Sequence, residues 1–149
     1  MMEQLNLPAF DYQVKTEEDG SYIFDSIRKK YILLTPEEWV RQHFIHLLVA
    51  QYHYPRSLMS CESGFQLNGL DKRTDILVYK RNMEVFLLVE CKAPQIKVGE
   101  KTLKQACVYN KKLKAPYIAL SNGMKTFCFE TRNDTIKQVP DLPPYPAEG

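Results

Sequence analysis

The chain has 149 residues, 44% of them hydrophobic and 26% charged, with a formal net charge of +2. This is the size and composition of one globular domain, able to bury roughly 70% of its unfolded surface, and it excludes wholesale disorder. No apolar run approaches the ~18 residues of a membrane span, and MMEQLNLPAF has neither the basic nor the apolar segment of a signal peptide, so no membrane partner is expected. Cys61, Cys91, Cys107 and Cys128 make no CxxC pair, which makes a reducing cytoplasm the expected location. His43 and His46 are three apart, but without an HExxH motif or a cysteine at zinc spacing they read as ordinary histidines.

The first stretch, residues 1–21, is an acidic extension. Glu3, Asp11, Glu17, Glu18 and Asp19 stand there against Lys15 alone. At the other end, residues 140–149 form a proline-rich tail that can neither pair in a sheet nor join a helix. Both ends are expected to be mobile or loosely docked. The domain proper is placed at residues 22–139.

Within it, Ser21–Phe24 and Tyr31–Leu34 look extended and can form a leading hairpin. A helix with a clear start follows. Thr35 suits the N-cap, Pro36 the first helical position, and Thr35-x-x-Glu38 has the spacing of a capping box. Val40, Phe44, Leu47 and Leu48 then recur at helical spacing to about Gln51. Strands are expected over Leu58–Leu67, Thr74–Tyr79 and Glu84–Lys92. The last of these is almost continuously apolar and should be covered on both faces. A second helix is expected over Glu100–Leu113, then strands over Pro116–Leu120 and Lys125–Glu130 joined by an Asn122-Gly123 turn. The order αβββαβ, with a short β prelude, predicts an α/β (α+β) fold: a mixed sheet of about five strands flanked by helices.

Charges in the apolar strands point to chemistry. Asp75 adjoins the run Ile76–Val78, and Glu90 and Lys92 end the most buried strand. Buried charges need a partner, a metal or water. Glu90 and Lys92 share a face, since positions i and i+2 of a strand point the same way. If the two strands pair through Lys80–Met83, Asp75 falls near Glu90. Paired carboxylates on hard oxygen ligands suit Mg²⁺ or Mn²⁺, and a nearby lysine can orient a water whose pKa the metal lowers. The alternative is a structural salt bridge at the end of a sheet.

Asp75 followed by Glu90-Cys91-Lys92 resembles the signature of the PD-(D/E)xK nucleases, and the element order matches their restriction-endonuclease-like core. Leu34-Thr35-Pro36-Glu37-Glu38-Trp39-Val40-Arg41-Gln42, Arg73-Thr74-Asp75-Ile76, Val89-Glu90-Cys91-Lys92-Ala93-Pro94, Gln105-x-x-x-Tyr109 and Ser121-Asn122-Gly123 look like the N-terminal nuclease domain of type I restriction enzyme R proteins. The resemblance runs from about Ile23 to Glu130; Thr74 stands where the signature has proline. It implies that Asp75, Glu90 and the backbone carbonyl of Cys91 hold the metal, and that Lys92 positions the attacking water. It also implies a first-helix acidic residue at the site. Glu38 already has a role in the capping box, while Glu37 shares the face of Val40 and Phe44, so helix arithmetic favours Glu37. Gln105 and Tyr109, one turn apart, are implied to lie near the metal and the nucleic acid. Their alternative is the exposed flank of an amphipathic helix.

From Lys92 to Lys114, both included, there are seven lysines and one acid, Glu100. Lys101 and Lys104, with Arg41 and Arg73, are candidate phosphate contacts. A solvated lysine face is the alternative, and Arg41 can instead pair with Glu37 or Glu38 on its own helix. No GxxxxGK[ST] motif is present, so ATP is not an expected ligand. No helix-turn-helix or zinc finger reads bases. The resemblance covers a nuclease without its motor, so a motor or specificity partner is expected, and double-strand cleavage would suit a homodimer. The leading expectation is a Mg²⁺-dependent DNA endonuclease. A non-cleaving nucleic-acid-binding module and a protein-interaction domain are the competitors.

Overall fold

The computed structural model describes residues 2–147. Its elements are β1 (Val14–Glu17), β2 (Gly20–Asp25), β3 (Lys30–Leu33), α1 (Pro36–Ala50), a short 3₁₀ turn (Arg56–Leu58), β4 (Met59–Leu67), β5 (Leu70–Tyr79), β6 (Val85–Cys91), α2 (Glu100–Leu113), β7 (Tyr117–Ser121), β8 (Thr126–Arg132) and β9 (Thr135–Val139). Strands β1-β2-β3 make a small antiparallel sheet. The main sheet has six strands in the order β4-β5-β6-β7-β8-β9. Only β6 and β7 pair in parallel, with α2 as the crossover between them. The fold is thus mixed α+β, as expected, with one more strand than expected.

α1 begins as its sequence dictates. The Thr35 hydroxyl accepts the N–H of Glu38 at 3.0 Å, and Pro36 occupies the first turn. Val40, Phe44 and Leu48 then bury completely against one face of the main sheet, beside Ile76, Val78, Leu87 and Val89. Ala106 of α2 packs on the other face, against Leu77, Leu88, Ile118 and Leu120. β6 is therefore covered on both sides, which explains its unbroken apolar run.

The extra strand follows Asn133-Asp134, both of which take positive φ (49° and 63°). That geometry joins β8 to β9 in a tight hairpin. Asn68-Gly69 does the same between β4 and β5, with φ of 52° and 77°, so β5 starts at Leu70 rather than Thr74.

The chain ends correct the expectation of loose docking. Leu5 is buried in the main core, Asn6 donates its N–H to the Gly123 carbonyl at 2.8 Å, and β1 pairs with β2. The boundary expected at residue 22 therefore falls inside a strand. In the tail, Leu142 is buried, Tyr54 donates its hydroxyl to the Pro143 carbonyl, and Tyr145 donates to the Tyr79 carbonyl at 2.8 Å. A few apolar and aromatic anchors outweigh the polar and proline-rich composition around them. Among the described residues no helix is long and apolar enough to cross a membrane.

Candidate active site

The site forms where the sheet splits. The β5–β6 ladder runs from Tyr79 and Val85 to Ile76 and Val89, and then stops. Asp75 and Glu90 occupy the next level. The backbone N–H of Cys91, released from the ladder, donates to Asp75 Oδ2 at 2.7 Å. On its other edge β6 stays paired, since Lys92 donates its N–H to the Ser121 carbonyl of β7 at 2.9 Å. The N–H and C=O of one strand residue face the same edge. The Cys91 carbonyl therefore faces the side on which β5 diverges.

Asp75 and Glu90 are both buried. Burial, then the charge and the hydrogen-bonding pull of the Asp75 carboxylate, push the Glu90 carboxyl up to about 9, against the opposing charge of Lys92. One oxygen, Glu90 Oε1, is buried without a hydrogen-bond partner. Glu37, half-buried in the first turn of α1, has its carboxyl raised by burial and by Asp75, again opposed by Arg41 and Lys92. Asp75, Glu90, Lys92 and Glu37 thus act on one another as one electrostatic cluster.

The choice between Glu37 and Glu38 follows from what surrounds each. Glu38 does accept its place in the cap through its own N–H, but its carboxylate does not return to Thr35. Arg28 donates to both Glu38 oxygens at 3.1 and 3.0 Å, and Gln42 donates to Oε2 at 2.9 Å. Only half of the capping box forms, because a buried carboxylate gains more from an arginine fork than from one more amide. Glu38 stands one layer behind the site.

Arg41 is also placed differently from a surface phosphate contact. It is 5% exposed and ion-paired to Glu38 at 3.3 Å, Glu62 at 2.5 Å and Asp75 at 3.5 Å. Burial alone would lower its pKa, but the three carboxylates raise it above the ordinary arginine value. It is fixed and charged, and its forks are taken.

Glu62 was not anticipated. The β4–β5 register, which pairs Cys61 with Ile76 and Ser63 with Thr74, sets Glu62 opposite Asp75. The signal was available: the Asn68-Gly69 turn centres the hairpin, and counting outward from it reaches this pair. Glu62 also has a positive φ of 57°, an uncommon conformation for a residue other than glycine.

The remaining candidates make no contact with the cluster among those described. Gln105 and Tyr109 share a face of α2, and the Gln105 amide donates to the Tyr109 hydroxyl at 3.0 Å. The Tyr109 ring packs edge-on against Phe65 of β4, with centroids 5.2 Å apart. Lys101 and Lys104 are exposed, Lys104 within 3.6 Å of Glu100, and Arg73 is exposed two residues before Asp75. Phe10 packs on the rings of both His43 and His46, and burial lowers the pKa of each.

Among the described residues no three His, Cys, Asp or Glu side chains gather closely enough to hold a metal by themselves. The expected donor set needs only two, Asp75 and Glu90, with a backbone carbonyl. The orphaned Glu90 oxygen and the raised Glu90 carboxyl beside Asp75 fit such a set, since a hard divalent cation would give the first a partner and offset the repulsion behind the second.

A six-stranded mixed sheet flanked by α1 and α2 is consistent with an α/β nuclease-like core. Residues 36–143 match the family described as Type I restriction enzyme R protein N terminus (HSDR_N), so the chain belongs to that family. No curated protein matches the chain.

Proposed function

We propose that this chain is a Mg²⁺- or Mn²⁺-dependent DNA endonuclease domain of the PD-(D/E)xK type, serving restriction. The observation that carries this reading is the Asp75–Glu90 carboxyl pair at the split between β5 and β6, with Lys92 acting on it. Asp75, Glu90 and the Cys91 carbonyl would hold the metal. Bound there, Mg²⁺ or Mn²⁺ would polarise the phosphate and lower the pKa of a ligated water.

The residues of the chain would do the rest. Lys92 holds a water or a non-bridging phosphate oxygen by hydrogen bonding and offsets negative charge as the phosphate is attacked. Glu37, its carboxyl raised and beside Asp75, can take a hydrogen bond or a proton from the incoming water. Gln105 and Tyr109 flank the approach, and exposed Arg73, Lys101 and Lys104 can meet the backbone phosphates of DNA. Arg41 is assigned no phosphate. A motor or specificity protein, or a second copy of the chain, would supply targeting and the second cut.

The test is nicking of supercoiled plasmid in Mg²⁺, Mn²⁺ or EDTA by wild type and by Lys92→Ala. Metal-dependent nicking that falls about 100-fold or more in the variant, with its melting temperature retained, is expected. Equal nicking by both proteins would overturn the assignment.

A further inference from the structure

We infer that Arg28, carried by the small N-terminal sheet, is a positioning residue for the metal site and acts on Asp75 through Glu38 and Arg41. The inference rests on the proposed metal-dependent nuclease. Arg28 precedes residues 36–143, the part that matches the family, so this support comes from outside that segment.

The linkage can be followed bond by bond. Asp25, fully buried at the end of β2, accepts the N–H groups of Ile27 and Arg28 at 2.7 and 3.0 Å and the Arg28 side-chain Nε at 2.5 Å. Backbone and side chain of Arg28 are thereby fixed together. The far end of the guanidinium forks onto both oxygens of Glu38. Glu38 then meets Arg41 Nη2 at 3.3 Å, and Arg41 Nη1 lies 2.5 Å from Glu62 and 3.5 Å from Asp75. Arg41 Nε has no partner, so its two terminal nitrogens alone fix the guanidinium.

Charge alternates along this series: Asp25, Arg28, Glu38, Arg41, then the facing pair Glu62 and Asp75. Each cation is shared between neighbours in a low-dielectric setting, where losing one partner redistributes the others. Without Arg28, Glu38 has Arg41 as its one cation. Arg41 is drawn toward Glu38 and away from Asp75, whose carboxylate then loses its lateral support. Partners of ligating carboxylates of this kind typically govern metal affinity by 10–100-fold.

Calorimetric titration with Mn²⁺, on full-length protein well below its melting temperature, tests this. Arg28→Met is expected to weaken Mn²⁺ binding by about tenfold or more. Arg28→Lys, which keeps the charge but cannot fork onto two carboxylates, folds more readily and is expected to weaken it several-fold. Ile23→Val, a core change in the same sheet that touches no charge, is the comparison and should leave Mn²⁺ affinity unchanged. Wild-type affinity in both Arg28 variants, or equal weakening by Ile23→Val, would overturn the inference while leaving the nuclease reading intact. Absence of Mn²⁺ binding by wild type would overturn the nuclease reading, and this inference with it.

Discussion

As a ligand in the proposed metal site Glu90 would have to be ionised, yet burial and the neighbouring Asp75 make ionisation costly. Its folded pKa, raised to about 9 from an ordinary value of 4.5, sets the sign of the pH dependence. The folded state holds the proton more tightly than the unfolded chain. Its contribution to stability is therefore complete below about pH 4.5 and is lost as pH rises toward 9. Metal-free protein, followed by urea unfolding in EDTA, is expected to be less stable at pH 8.5 than at pH 6. Glu90→Gln keeps the shape, removes the titration, and should flatten that slope while abolishing Mn²⁺ binding. A variant as pH-sensitive as wild type would place the titration elsewhere. Gain of stability with loss of function is what a strained site predicts.

The residues that would do chemistry were the legible ones. Asp75, Glu90 and Lys92 stand out because charges in apolar strands are conspicuous, and strand periodicity placed two of them on one face. Arg41, Glu38 and Glu62 were harder. A charged residue on an amphipathic helix, such as Glu38 or Arg41, or on a half-exposed strand, such as Glu62, looks solvated in one dimension, and its partners depend on what another element brings to it. Arg28 was not anticipated, because nothing in a polar turn announces that it will fold back onto α1.

At the scale of elements, turn chemistry decides which strands a sequence reveals. Asn122-Gly123 was read correctly. Asn122 Oδ1 accepts the N–H groups of Met124 and Lys125, and Gly123 has a positive φ of 84°. Gly123 is constrained twice, since a Cβ there would come within 2.8 Å of the Leu5 side chain. Gly123→Ala is therefore expected to cost about 1–3 kcal/mol in denaturant unfolding, from overpacking together with backbone strain. Leu5→Ala should cost about 2–5 kcal/mol by leaving a cavity. Combined, the two substitutions should cost less than their sum, because Leu5→Ala removes the clash that Gly123→Ala creates. Strict additivity would show that the contact is not what matters. Asn133-Asp134, by contrast, passed unnoticed, and with it β9. Its strand, Thr135–Val139, is short and almost wholly exposed, so it carried no apolar signal. The helix start at Thr35 was read well, because a cap is a local event. Thr35→Ala should cost about 1 kcal/mol.

Over the whole molecule, the two ends close around the core instead of trailing from it. Tyr145 packs against Tyr54 and Phe86 at 5.4 and 5.8 Å, Leu5 and Ile23 are buried in the same core as Val40 and Phe44 of α1, and Arg28 forks onto Glu38. A fragment limited to residues 36–143 would expose that surface and leave Glu38 without Arg28. It is expected to unfold without a sharp transition in calorimetry, whereas the full chain should show one. Sharp melting of the fragment would show that the matched segment folds alone. These contacts were illegible because single anchors in polar or proline-rich surroundings leave composition and periodicity unchanged.

The N-terminal contacts also give the protein an optical gauge. Trp39 is its one tryptophan. The indole N–H donates to the Glu3 carbonyl at 2.7 Å, and Tyr12 and His43 stand edge-on to the ring. Lifting residues 2–12 would wet this indole without melting the sheet. Its emission is then expected to move to the red at lower urea than the loss of far-ultraviolet helix signal. The separation between the two midpoints would measure how firmly the leading segment is fastened to the helix that carries Glu37, Glu38 and Arg41.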